Sequence, residues 1–262
     1  MASGHRERVR YERDGDVGLV VLADPPLNLF TYELTNDLIA ALEEAEGDMP
    51  RALVIRAEGK VFTGGVDVHV FDDKTPAQAQ GFFDDLLKIT HKLEDMPWPT
   101  IASVQGLCLT AGFELALACD LIWAGEAARF GLVEIVVGLT PAMGGTQRVA
   151  ERAGPARARE LVMSGDLYDA ATLERWNVVN RVVPDDDLGE ATMKLASRLA
   201  AGPTKANAAT KKMVRAFLEH GVRGADARVG DIAAPLFATE DLQNAVDTFL
   251  EQGPGKATFQ GR

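Results

Sequence analysis

Residues 101–148, IASVQGLCLTAGFELALACDLIWAGEAARFGLVEIVVGLTPAMGGTQR, restrict the possible folds of this chain more than any other stretch. They read as strand, tight turn, helix, strand and loop. Residues 101–104 are short, apolar and partly β-branched, Gln105-Gly106 breaks the run, and Ala111-Gly112 opens a helix in which Glu114 stands about one turn inside. A helix start leaves backbone N–H groups free to point at whatever lies in front of them, so an anion, or an oxygen gaining negative charge, is their natural occupant. Glu134 follows twenty residues later in the glycine-punctuated Phe130-Gly131-Leu132-Val133-Glu134, which cannot form a long helix. Two carboxylates beside one anion hole would make an acid–base pair.

The rest of the chain alternates in a way that gives this stretch a scaffold. Residues 17–22 (VGLVVL) predict a strand that Pro25-Pro26 ends, and Thr31 is placed to cap an amphipathic helix with Leu34, Leu38, Ala41, Leu42 and Ala45 on one face. Residues 52–56 (ALVIR) predict the next strand, so the class is α/β, with a sheet covered on at least one side. A second helix is expected over residues 76–94, carrying Phe82, Phe83, Leu86, Leu87 and Leu93 and closed by Met96-Pro97-Trp98-Pro99. Short helices are expected at 156–163 and 170–176, with a strand at 178–183 stopped by Pro184. Beyond it the pattern is helical only. Gly202-Pro203 begins a helix lined by Ala206, Ala209, Met213 and Phe217, Thr239 caps another with Leu242, Ala245, Val246, Phe249 and Leu250, and residues 221–231 between them read as mobile.

Composition narrows the partners. With 262 residues a sizeable core is possible, and the charged fraction of 25% against 47% hydrophobic fits a globular enzyme and excludes disordered and fibrous classes. A net charge of −12 argues against nucleic acid, although local N–H groups and a few basic side chains still permit a small anionic ligand. Cys108 and Cys119 lie in apolar runs without a CxxC, as reduced thiols of a cytoplasmic chain would. The opening MASGHRERVRYERDGD lacks the apolar stretch of a secretory signal, and no run approaches the ~18 apolar residues of a membrane span.

Residues 101–148, together with Phe62-Thr63-Gly64-Gly65-Val66-Asp67 upstream, resemble the signature of the enoyl-CoA hydratase/isomerase (crotonase) family, and the similarity runs from about Val17 to the terminal Phe259-Gln260-Gly261-Arg262. It implies a crotonase-like spiral of ββα units over residues 1–195. A C-terminal helical region over residues 196–262 would pack on neighbouring subunits in a homotrimer or a dimer of trimers. It also implies that the backbone N–H groups of Val66 and Ala111 hold a thioester oxygen, one such donor being worth ~3 kcal/mol. Glu114 would activate water for attack at C3 and Glu134 would protonate C2 of a trans-2-enoyl-CoA. Coenzyme A would lie along Ala57, Gly64, Gly65, Asp67, Val68 and His69, with Ala142 near the thioester and Lys256 meeting a neighbour's phosphates. No metal or redox cofactor is implied, since the coenzyme A thioester is the substrate.

Three positions depart from the commoner family pattern. Thr110-Ala111-Gly112 stands for Gly-Gly-Gly, Leu132-Val133 for Gln-Pro, and Pro141-Ala142 for Pro-Gly, which alters the shape of an acyl pocket whose wall is expected around residues 70–81 and Met143. An enoyl-CoA isomerase, or another crotonase-family acyl-CoA reaction, is the neighbouring enzymatic reading. A catalytically silent acyl-CoA binder or scaffold is the reading of another class, against which the presence of both carboxylates argues. On the residues alone, without the resemblance, Glu114 reads first as a buried structural carboxylate paired with an arginine; the resemblance reverses that order. Asp67 and Asp120 read as structural hydrogen-bonders, Lys211-Lys212 as a solvated helix face, and His5, His69, His91 and His220 as surface histidines without metal-ligand spacing. The chain has no GxSxG, GxGxxG or GxxxxGK[ST] motif.

Overall fold

The computed structural model describes residues 7–262; His5 and the start of the charged N-terminal stretch lie outside them. The described chain opens with β1 (Val9–Asp14) and β2 (Val17–Leu22), followed by α1 (Tyr32–Asp48), β3 (Ala52–Ala57) and α2 (Pro76–Asp95). Thr31 caps α1 by accepting the Leu34 N–H, and the five expected apolar residues of α1 are buried. At α2 the Thr75 hydroxyl and the Gln78 side chain form a capping box, and Leu86, Ile89 and Leu93 face the core.

Next come β4 (Thr100–Val104), β5 (Leu107–Leu109), α3 (Thr110–Leu117), β6 (Leu121–Gly125) and β7 (Arg129–Gly131). A larger sheet has the order β1-β2-β3-β4-β6, completed by β9 (Arg181–Val183); only the β1 edge is antiparallel. A small second sheet joins β5, β7 and β8 (Tyr168–Asp169). Successive strand pairs therefore split between the two sheets, β4 and β6 in one, β5 and β7 in the other, and after each pair the chain turns into helix. This is a ββα unit repeated.

The parallel strands are buried on both faces, which is why residues 17–22 and 52–55 read as continuous apolar runs rather than alternating ones. One face, with Val20, Leu22, Leu53, Ile55, Ala102 and Val104, belongs to the main core under α1 to α3. The other, with Val17, Leu19, Val21, Val54 and Ile101, packs on Leu195, Ala196 and Ala200 of α7 (Leu188–Ala200).

Several expectations are corrected. The stretch 101–148 ends in a helix rather than a loop, because α4 (Gly145–Ala153) starts inside it, followed by α5 (Pro155–Ser164) and α6 (Ala170–Arg175). Residues 178–180 are not strand; β9 spans only Arg181–Val183, since the Val178 and Val179 N–H groups both return to the Leu173 carbonyl. Residues 221–231 are folded into helical turns. In α8 (Thr204–Asp226) a single left-handed residue, Gly221 (φ 69°), breaks the winding, and α9 (Val229–Ala233) follows. Lys211 is not a solvated charge, as it pairs with Asp120 at 2.8 Å and donates to the Trp98 carbonyl.

In the last third, α8 is tied to the sheet region by Arg51, which donates to Thr204 Oγ1 and the Gly202 carbonyl, and by Lys211 and Arg215. Thr239 caps α10 (Glu240–Gln252) as expected. Elsewhere on these helices apolar side chains are bare: Phe217, Leu218 and Val222 of α8, Phe237 before α10, and Phe249 and Leu250 of α10 are exposed.

Candidate active site

Helix α3 starts with no side-chain cap, and all eight of its residues are buried. Ala111 is its second residue, so no helical carbonyl lies four positions back to take its N–H. The segment 62–67 is laid against this helix start by backbone bonds. The Thr63 N–H donates to the Leu107 carbonyl, the Leu109 N–H to Thr63, and the Phe30 N–H to Gly65, while Asp67 donates back to Phe30. These bonds bring Val66 within one hydrogen bond of Thr110, whose Oγ1 accepts the Val66 N–H at 3.0 Å. Val66 and Ala111, the two expected oxyanion donors, thus come together. The Thr110 side chain stands beside them, a contact 44 positions apart that sequence reasoning did not anticipate.

Glu114 lies one turn into α3 and is 2% exposed. Its Oε1 accepts the Met143 N–H at 2.9 Å and the Gly145 N–H at 2.8 Å, so the backbone at the start of α4 seats it. The approach is close enough that a Cβ at position 145 would lie 2.7 Å from Glu114 Cγ. Arg148 is not its direct partner; that guanidinium is fixed by Glu94 at 2.8 Å and by the Gly144 carbonyl, and acts on Glu114 only as a nearby charge. Burial, reinforced by the Glu134 charge, pushes the Glu114 carboxyl up to about 8, against the opposing pull of the two N–H groups.

Glu134 begins a short 3₁₀ turn, 134–137, whose apolar residues Ile135, Val136 and Val137 are exposed. Its Oε2 is buried and has no hydrogen-bond partner, and burial raises this carboxyl to about 7. A buried acceptor without a partner is expensive, which marks a place for a donor such as water. The Glu134 charge is one of the causes that raise Glu114, so the two carboxyls titrate as a coupled pair.

The other expected ligand residues divide into two groups. Ala57, Gly64, Gly65, Asp67 and Val68 lie along one edge, where Gln105 Nε2 donates to the Ala57 carbonyl and Asp67 caps a turn at 68–71 by accepting the His69 N–H. Val68 and His69 are exposed, and His69 pairs with Asp72, which raises its pKa and surrounds it with negative charge. Ala142 is half-buried beside the Met143 N–H that seats Glu114. Lys256 is exposed near the C-terminus. Among the described residues no group of three or more His, Cys, Asp or Glu is arranged to hold a metal, and no helix is long and apolar enough to cross a membrane.

Residues 12–262 match the enoyl-CoA hydratase/isomerase family model. The chain is 35% identical to "Probable enoyl-CoA hydratase echA8" of Mycobacterium tuberculosis, over 94% of this chain and 96% of that protein. It is 33% identical to the 2,3-dehydroadipyl-CoA hydratase of Escherichia coli, over 90% and 89% respectively. A solved enoyl-CoA hydratase subunit from Geobacillus kaustophilus superposes with a TM-score of 0.91 at 34% identity, covering 97% of this chain and 98% of that one. The ββα repeat and the helical C-terminal region are those of the crotonase fold, and the chain belongs to the enoyl-CoA hydratase/isomerase family.

Proposed function

We propose that this protein hydrates trans-2-enoyl-CoA reversibly to 3-hydroxyacyl-CoA, a lyase reaction in which the coenzyme A thioester is substrate and no further cofactor takes part. The observation that carries the reading is the pair of raised carboxyls, Glu114 gripped on one oxygen and Glu134 with a buried oxygen left open. A water held between them is oriented by both. Glu114 takes its proton as oxygen attacks C3, Glu134 delivers a proton to C2, and the enolate charge that forms meanwhile on the thioester oxygen meets a hole built around the N–H groups of Val66 and Ala111 at the start of α3. The coenzyme runs along Ala57, Gly64, Gly65, Asp67, Val68 and His69, with Ala142 beside the reacting end.

Attack needs Glu114 ionised and Glu134 protonated, and the raised carboxyls, about 8 and about 7, keep a proton available to the pair near neutral pH. The exposed apolar faces of α8 and α10 support assembly as a trimer or dimer of trimers, and the buried reduced thiols Cys108 and Cys119 suit the cytoplasm.

The test is the ultraviolet absorbance of crotonyl-CoA with the purified protein, because hydration removes the conjugation of alkene and thioester. The expected outcome is loss of that absorbance with a product heavier by one water. Binding without turnover on crotonyl-CoA and longer enoyl-CoAs would overturn hydration and turn the assay to 3-enoyl-CoA.

A further inference from the structure

Thr110 occupies a position that its backbone makes costly. Its φ is +47°, in the left-handed region that a β-branched residue rarely enters, and a glycine would sit there without strain. Strain of this kind persists where the surroundings over-determine it, and it is frequently part of a site's operation. Here the surroundings are built around the side chain. Its hydroxyl accepts the Val66 N–H at 3.0 Å, and a Cβ at Gly65, itself at φ +105°, would fall 2.6 Å from that oxygen. A second hydroxyl completes the arrangement, since Thr63 Oγ1 accepts the Gly65 N–H and donates to the Asn28 carbonyl. Thr63 therefore spends its proton inside the protein. Thr110 does not: it is 8% exposed, and among the described residues its hydroxyl proton reaches no acceptor.

We infer that Thr110 is an oxyanion donor: its hydroxyl accepts the Val66 N–H and gives its own proton to the thioester oxygen, beside the N–H of the next residue, Ala111. The inference rests on the hydratase reading for the identity of the ligand oxygen. A hydroxyl polarised by an incoming N–H is a better donor than an isolated one. At the roughly tetrahedral angle of a hydroxyl oxygen, whatever accepts from Thr110 stands beyond direct reach of Val66, which then acts through Thr110 rather than on the substrate. The hole of this chain is thus one hydroxyl and one amide, with the Val66 amide behind the hydroxyl.

Thr110→Val keeps the branched shape and removes the hydroxyl, Thr110→Ser keeps the hydroxyl, and Thr110→Gly removes both side chain and strain. Each is measured for crotonyl-CoA hydration and for the infrared carbonyl stretch of bound butyryl-CoA carrying carbon-13 at the thioester, a ligand that cannot be hydrated. The valine variant should lose about 10²-fold in kcat with KM changed only a few-fold, and the stretch should move to higher frequency as the carbonyl loses a donor. Serine should restore both. Glycine should lose at least about tenfold; it carries the test should the valine variant fail to fold. Wild-type kcat and an unmoved stretch in the valine variant would overturn the inference. So would a glycine variant at or above wild type, which would mean that the hydroxyl merely plugs the Val66 N–H. If the wild-type protein binds thioesters without hydrating them, the hydratase reading fails, and the infrared comparison still decides the role of Thr110.

Discussion

The two carboxylates are held by opposite kinds of structure. Glu114 sits in a helix whose every residue is buried, with two backbone N–H groups on one oxygen and a glycine shaped to its stem. Glu134 sits on a 3₁₀ rim that turns Ile135, Val136 and Val137 outward, with one oxygen unsatisfied. Burial raises both pKa values; two N–H groups from a distant segment pull against it at Glu114, while at Glu134 the opposing N–H is the residue's own. The contrast separates a fixed group from one whose seat is completed by what binds.

The strongest way to break the comparison is to remove each charge. Glu114→Gln and Glu134→Gln should each lower hydration by ~10²–10⁴ in kcat while binding of a coenzyme A thioester changes much less. Steady-state kinetics with crotonyl-CoA, paired with a butyryl-CoA binding titration, checks both. A variant that kept near wild-type turnover would strip that carboxylate of its role. The gripped seat and the open seat would then no longer be two halves of one device.

A smaller effect sharpens the difference in rigidity. In Gly145→Ala the new methyl would lie 2.7 Å from Glu114 Cγ and 3.1 Å from Leu132 Cδ1, so the carboxylate must shift. A displacement of that order should lower kcat by about 10–10²-fold and cost about 1–3 kcal/mol. Val136→Ala on the exposed rim should stay within about 0.5 kcal/mol of wild type in denaturant unfolding. Equal losses at 145 and 136 would erase the distinction between seat and rim.

The half of this arrangement that is local in sequence was legible. Residues 101–117 announce strand, turn and helix through apolar runs and small residues, and Thr31 and Thr239 stand at the expected helix starts and accept N–H groups there. What escaped is what is made between distant segments. The N–H groups of Met143 and Gly145 carry no side-chain signal, and neither does the pairing of Thr110 with Val66. Strands β5, β7 and β8 have three, three and two residues, too few for any periodicity. The edge strand β1 reads as a charged tail because its outer side chains, Arg10, Glu12 and Arg13, form ion pairs on the surface. The Glu114–arginine pairing considered from the residues was right about proximity and wrong about contact, since Arg148 is turned to Glu94.

The subtlest consequence of the gripped seat is in stability. A carboxyl whose pKa rises from 4.5 when unfolded to about 8 when folded favours the folded state in its neutral form. That contribution is complete below pH 4.5, shrinks as pH climbs past the unfolded value, and is gone above about 8, where the folded protein must carry a buried charge. Glu114→Gln keeps an oxygen for the Met143 and Gly145 N–H groups and never ionises. Its melting temperature should match wild type near pH 4.5 and exceed it increasingly toward pH 9, by the equivalent of ~1–2 kcal/mol once relaxation around the charge is allowed for. Glu134→Gln should follow the same course with a smaller gain, because the Glu134 carboxyl rises only to about 7. Melting curves of the three proteins across that pH range measure the two seats against each other. A larger gain at 134 than at 114 would reverse the assignment of which carboxylate the fold holds more tightly out of water.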